Sequence, residues 1–176
     1  MRLHNGTIWR WVRPLIGLAG DGRPHWRIEQ RVLPAGPTVI DMFANAALYY
    51  GAVYMLARER GTAEARLPFD IAKANFYAAA RHGMDASIAW FGGEERPVRA
   101  VIDELCTTAR DGLERHGVDN SLIDRYLDIV ASRNASGRNG AAWQLAHHRR
   151  HGGLFRLTAD YLEHQRSGMP VHQWPV

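Results

Sequence analysis

Arg27-Ile28-Glu29-Gln30-Arg31 sets one acid between two arginines at intervals of two. Residues two apart in a strand share a face, so Arg27, Glu29 and Arg31 line one side of it. Ile28, Gln30 and Val32 line the other. Two uses fit that pattern. One is a ladder of cross-strand ion pairs on a wet face, which adds little stability. The other is a carboxylate ligand for a divalent ion, with the arginines gripping phosphates that the metal bridges. Spacing alone leaves both open.

Other residues invite similar weighing. Asp41 and Asn45 stand four apart, on one helix face. Asp41 either favours the helix dipole or reaches an active site. Arg138-Asn139-Gly140 either grips a substrate carboxylate, since glycine lets backbone approach closely, or opens a helix. His147 and His151 share a helix face at zinc-ligand spacing, but no acid nearby in sequence completes a set. A basic, solvated helix end is the simpler reading. Cys106 sits with Ile102 and Leu105 on an apolar helix face and reads as packing. Trp9-Arg10-Trp11-Val12-Arg13 interleaves aromatic and basic residues as single-strand binders do. Strand alternation puts Arg10 opposite the two tryptophans, which argues against nucleic acid as partner.

Composition narrows the classes. The 176 residues are 46% hydrophobic and 23% charged, the balance of a folded chain and not of a disordered one. One cysteine cannot close an internal disulfide, and the first residues lack an apolar leader, so a cytoplasmic protein is expected. The basic side is 21 arginines and one lysine. That lysine, Lys73, has no glycines near it, so the lysine-bearing phosphate loop of many nucleotide binders is absent from the sequence.

The elements that must position these residues read as α+β. Thr7–Val12 and His25–Leu33 are rich in strand formers, and Asp21-Gly22 between them favours a hairpin. Pro34 and Pro37 end it. Helices are expected from a Thr38 cap to about Arg58, from an Asp70 cap to His82, and from Pro97 to His116. Others run from a Ser121 cap to Arg133, over Ala141–His151 and over Leu157–Arg166. A short extended segment falls within Met84–Trp90, and 169–176 is expected to be an extended tail. The chain reads as one domain, with the hairpin over 1–37 and helices over 38–168. Between Val39 and Ala57 nearly every residue is apolar. A helix apolar all round is buried all round, so either a second copy, a partner subunit or a further part of the same enzyme covers it, or the C-terminal helices wrap it unaided.

The string Asn5–Pro14, then Arg27–Thr38, Ala44–Ala47, Gly137–Ala141 and Pro170–Pro175 resembles the carboxylate–amine ligase family of bacterial glutamate–cysteine ligase type 2. The Arg-Ile-Glu-x-Arg strand also resembles its counterpart in glutamine synthetases, whose fold that family shares. The resemblance spans essentially the whole chain but only the C-terminal part of such proteins. It implies a partial glutamine synthetase-like catalytic domain. It implies that Glu29 ligates Mg²⁺ (or Mn²⁺) and that Arg31 and Arg10 contact phosphate or substrate, with Arg27 a further candidate for substrate binding. Arg138 and Asn139 stand beside these as substrate-binding candidates on their own chemistry, not through the resemblance. ATP would phosphorylate a carboxylate and an amine would displace the phosphate. That chemistry relies on positioning and cations and needs no protein nucleophile. The family's other metal-binding acids lie upstream, so the chain is expected to be incomplete alone. A non-catalytic relative serving as a binding or assembly module is the alternative; an arginine-rich nucleic-acid binder comes third.

Overall fold

The computed structural model describes residues 12–33, 35–59, 61 and 63–176, and these divide into two compact units, 1–35 and 36–176. The first is a two-stranded antiparallel ribbon, β1 (Val12–Leu18) and β2 (Pro24–Gln30), with Arg13 opposite Glu29 and Leu15 opposite Arg27. The expected strand over 7–12 lies almost wholly outside the described residues. The observed β1 begins at its last residue and continues through Pro14 and Gly17. Proline is tolerated there because each strand of a two-stranded ribbon has an unpaired edge. The turn is where Asp21-Gly22 placed it: Gly22 has φ +80°, and the Asp21 carboxylate accepts the Arg23 backbone N–H at 3.1 Å. Ile16, Trp26 and Ile28 stand on one face of the ribbon, each more than half exposed.

The second unit is helical and carries the core. Helix α1 (Val39–Leu56) starts as expected, with the Thr38 hydroxyl accepting the Asp41 N–H at 3.3 Å. It packs on α4 (Val98–Arg115) and α5 (Asn120–Ser136) through Ala44, Ala52, Ala109, Leu113, Ile123 and Leu127. Small residues on α1 bring the backbones close: a Cβ added at Gly51 would lie 2.8 Å from the Ala109 Cα. The helix is not buried all round. Val39, Phe43, Tyr50 and Val53 remain exposed, because α4 and α5 cover one side only. Its length and mean hydropathy of 1.3 are shared by membrane spans and core helices alike.

Between α1 and α4 the chain forms α2 (Ala63–Arg66) and α3 (Phe69–His82), then a 3₁₀ turn (Gly83–Asp85). A small ribbon follows, β3 (Ser87–Ala89) on β4 (Glu95–Pro97). The Asn75 amide stitches α3 to β3, bonding both backbone groups of Ala89. Two expected caps are displaced. Pro68 precedes α3, leaving Asp70 inside its first turn. Asp119, not Ser121, caps α5, accepting the Ser121 N–H at 2.8 Å. Asp119, two residues earlier, starts the helix sooner and satisfies one of its orphan donors, the Ser121 N–H.

Gly137, at φ +68°, ends α5 in the left-handed conformation that glycine adopts without cost. Asn139 then caps α6 (Gly140–His151), and α7 (Leu154–Ser167) follows. The last residues are not a loose extended tail. Val171–Gln173 form a 3₁₀ turn, and Val171 and Trp174 are fully buried against Trp143. The indole N–H groups of Trp143 and Trp174 donate to the carbonyls of Pro175 and Met169, each at 2.7 Å, so burial leaves neither unpaired.

Candidate active-site residues

On the ribbon the acid does sit between cations, but one of them comes from the other strand. Glu29 Oε2 pairs with the Arg31 Nε at 2.9 Å and with the Arg13 Nε at 2.5 Å. The carboxylate is one-third exposed. The Arg31 hydrogen bond first, and the Arg13 bond second, hold its pKa below the usual carboxylate value. It is therefore ionised wherever the protein is folded near neutrality. Arg13 was not singled out beside Glu29 from sequence. The signal existed in principle, since the antiparallel register pairs the two residues, but the register depended on where β1 began.

Arg27 shares the face of Glu29, yet its guanidinium lies over Gly17, where a Cβ would collide with it. Arg31 falls just past the end of β2 and still turns back to Glu29. Arg10 lies outside the described residues. Two guanidiniums converging on one carboxylate form a compact, cation-rich spot, and planar donor forks of this kind suit phosphate or carboxylate oxygens. As a metal site the spot is incomplete. Among the described residues no group of three or more His, Cys, Asp or Glu could hold an ion. Glu29 offers one ligand, which these residues do not build into a metal centre.

The helical unit contains a second polar concentration. Asp41 is fully buried at the start of α1. Its Oδ2 accepts the Thr38 hydroxyl at 2.8 Å and the Val171 N–H at 3.1 Å, so it clamps the C-terminal turn to the helix start. This is a structural use, beyond a simple dipole effect. Arg133 of α5 lies 3.8 Å from the Asp41 Oδ1 and donates to the Asn45 Oδ1 at 2.8 Å. Sequence reading paired Asp41 with Asn45 but had no means of finding Arg133, eighty-eight residues downstream of Asn45.

Asn139 spends its side-chain oxygen on the Ala142 N–H at 2.9 Å, the helix-start use, while also lining a cleft with Asn45, Arg133 and Asn134. Arg138 is exposed and donates to the His172 carbonyl at 3.4 Å. The two therefore lie at the helical unit's polar region, with Asn139 facing the cleft and Arg138 at its surface.

His147 is not at a solvated helix end. It is buried, stacks near Trp143, and its Nε2 meets the Asp160 carboxylate at 2.8 Å. The acid that the sequence lacked nearby comes from α7. The basic residues His148, Arg149 and Arg150 are exposed as expected. Cys106 packs beside Ala44, Ile129 and Val130, and burial raises its thiol pKa, which makes it a poor nucleophile.

Comparison with known proteins follows the same residues. The family described as glutamate-cysteine ligase family 2 matches positions 2–160. A protein of Nocardia farcinica (strain IFM 10152), named "Putative glutamate--cysteine ligase 2-1", is 31% identical over 134 residues. That alignment covers 72% of this chain and 35% of the relative, so the chain spans about a third of that protein's length. With the family match running from ahead of the Arg13–Glu29–Arg31 cluster to α7, the chain belongs to glutamate–cysteine ligase family 2.

Proposed function

We propose that this chain supplies part of the active site of an ATP-dependent carboxylate–amine ligase of the glutamate–cysteine type. The observation that carries the reading is the ionised Glu29 held by Arg13 and Arg31 on an open ribbon. In this role Arg31 and Arg13 swing from the carboxylate to phosphate oxygens, with Arg10 and Arg27 as further phosphate or substrate contacts. Arg138 and Asn139 serve substrate binding in the helical unit. Glu29 would give one ligand to Mg²⁺ or Mn²⁺, the remaining ligands coming from ATP phosphates and from acids outside this chain.

The reaction class suits such residues. A carboxylate attacks the terminal phosphorus of ATP, breaking the bond to the β-phosphate, so that ADP leaves and an acyl phosphate forms; an amine then adds to the acyl carbon, inorganic phosphate leaves and the nitrogen's proton is released to solvent, giving the amide. Charge builds on phosphoryl oxygens in both stages, so fixed cations lower both barriers. Because the chain spans about a third of its relative, full activity is proposed to need more protein than this segment. The exposed face of α1 at Val39, Phe43, Tyr50 and Val53 is where a second copy, or that further protein, would pack. We place the protein in the cytoplasm, where ATP is available.

Each of Arg31→Ala and Arg13→Ala is expected to weaken ATP binding about tenfold, the worth of one charge-assisted hydrogen bond. Calorimetric titration measures it, and unchanged affinity in both variants would remove the arginines from the site. The reading as a non-catalytic module draws on one fact: both arginines already neutralise Glu29. It requires that ATP leave the melting temperature of the chain unmoved.

A further inference from the structure

Helix α1 carries an outward stripe with a heptad period. Val39, Phe43, Ala46, Tyr50, Val53 and Ala57 follow one another at intervals of four, three, four, three and four. That spacing is the seam of a helix that packs along a second helix. The other side of α1 holds the buried Asp41, Ala44, Gly51 and Ala52, and its two alanines pack against α4 and α5. On the seam Tyr50 is 67% and Phe43 55% exposed; Val39, Val53 and Ala57 are exposed too, and Ala46 is half-buried. No residue from Met42 to Ala57 is charged, in a chain that is 23% charged. Aromatic side chains without charge mark the centre of a protein interface and not a solvated face.

The order of sizes along the seam selects the occupant. Two copies of α1 set antiparallel, with a two-fold axis level with Leu48, bring Tyr50 of one copy onto Ala46 of the other. Phe43 then faces Val53, and Val39 faces Ala57. The axis repeats each pairing, so all six seam positions are used. Every larger side chain meets a smaller one, which is how facing layers interdigitate. A parallel pair would set Phe43 on Phe43, Tyr50 on Tyr50 and Ala46 on Ala46, giving crowded and hollow layers in turn. Antiparallel packing also places each helix N-terminus beside the partner's C-terminus, where the macrodipoles attract.

Area sets the strength of such a pair. The exposed parts of Val39, Met42, Phe43, Tyr50 and Val53 come to roughly 400–500 Å² per copy. Two copies would bury about 900 Å², close to the threshold of about 1,000 Å² for a specific interface. Tyr126 of α5, whose ring stacks on Phe43 at 5.7 Å between centroids, widens the patch. An interface of this size gives a reversible dimer, with a Kd on the order of 1–100 µM.

We propose that two copies of this chain associate through α1, antiparallel and two-fold, with Tyr50 of each copy seated on Ala46 of the other. The pairing does not depend on the ligase reading.

The test is sedimentation velocity of the full chain from about 1 µM to about 500 µM, which brackets that Kd. The parent should pass from monomer to dimer. Tyr50→Glu puts an unpaired charge in each central layer and should weaken association at least about tenfold, with Tm little changed because the position is exposed. A parent that stays monomeric overturns the proposal and leaves the face to further protein of a longer enzyme. A Tyr50→Glu variant that folds and dimerises like the parent overturns it as well. Oxidative cross-linking of Ala46→Cys and Tyr50→Cys reads the register. Mixed, the two variants should form a disulfide-linked dimer, while neither alone should, nor the parent with its partly buried Cys106. Cross-linking of each variant with itself would show a parallel pair and overturn the two-fold arrangement; no cross-link in the mixture does the same.

Discussion

Asp41→Ala is expected to destabilise the helical unit by about 3–5 kcal/mol, the usual loss when one partner of a buried charge pair is removed. The substitution strands the Thr38 hydroxyl and the Val171 N–H, both of which donate to its Oδ2. It also leaves Arg133, only 12% exposed, without its nearby carboxylate. Loss of favourable charge at the start of α1 adds a smaller term of about 0.3–1 kcal/mol. In a unit of this size each kcal/mol moves Tm by roughly 2–4 °C, so a drop on the order of 10 °C is expected in thermal denaturation followed by circular dichroism. Asp41→Asn should cost less, because its amide oxygen still accepts from Thr38 and Val171. A fall of less than about 1 kcal/mol for the alanine variant, the level of a surface substitution, would show that the clamp is ornamental.

Gly51→Ala is expected to destabilise as well, although helix propensity predicts the opposite. In a helix interior alanine is favoured over glycine by about 1 kcal/mol. Here the added methyl would lie 2.8 Å from the Ala109 Cα and carbonyl carbon. Those are backbone atoms of α4 and cannot rotate away, so the helices must separate. Overpacking of this kind typically costs about 1–3 kcal/mol and sometimes more. Gly112, facing Gly51 from α4, is subject to the same limit from the other side. With the steric cost at the upper end, the net loss is about 2 kcal/mol after the propensity gain. Urea denaturation measures it; a variant more stable than the parent would mean the two helices are not in backbone contact.

These two positions show what sequence patterning reads and what it misses. The Thr38 cap, the Asp21-Gly22 turn and the Pro97 opening of α4 each depend on residues within one turn of one another, and local chemistry specifies them. The Gly51–Gly112 approach does not, since each glycine alone looks like a weak spot in a helix. Apolarity of Val39–Leu56 suggested burial on every side. In the structure, small residues pack inward and Phe43 and Tyr50 face out, a distinction of size and not of polarity. The C-terminal segment looked like a tail because its partners, Trp143 and Asp41, are thirty and more residues away in sequence.

The candidate residues of the two units divided in the same manner. Glu29 and Arg31 are near neighbours and were found together. Arg13 required the strand register, and Arg133 required the packing of α5 on α1. His147 lost its solvated reading to Asp160 of the next helix, for the same reason. Residues that act with sequence neighbours were legible; those that act across the fold were not.

The role of Glu29 is tested most directly by titrating ATP into the chain with Mg²⁺ and again with EDTA, for the parent and for Glu29→Gln. Glutamine keeps the size of the side chain and removes the charge that a divalent ion requires. The parent should bind ATP at least about tenfold more tightly with Mg²⁺, and the variant should lose that gain, since a hard cation prefers an ionised oxygen ligand. An equal Mg²⁺ effect in both proteins, or none in the parent, would contradict the assignment of Glu29 to the metal.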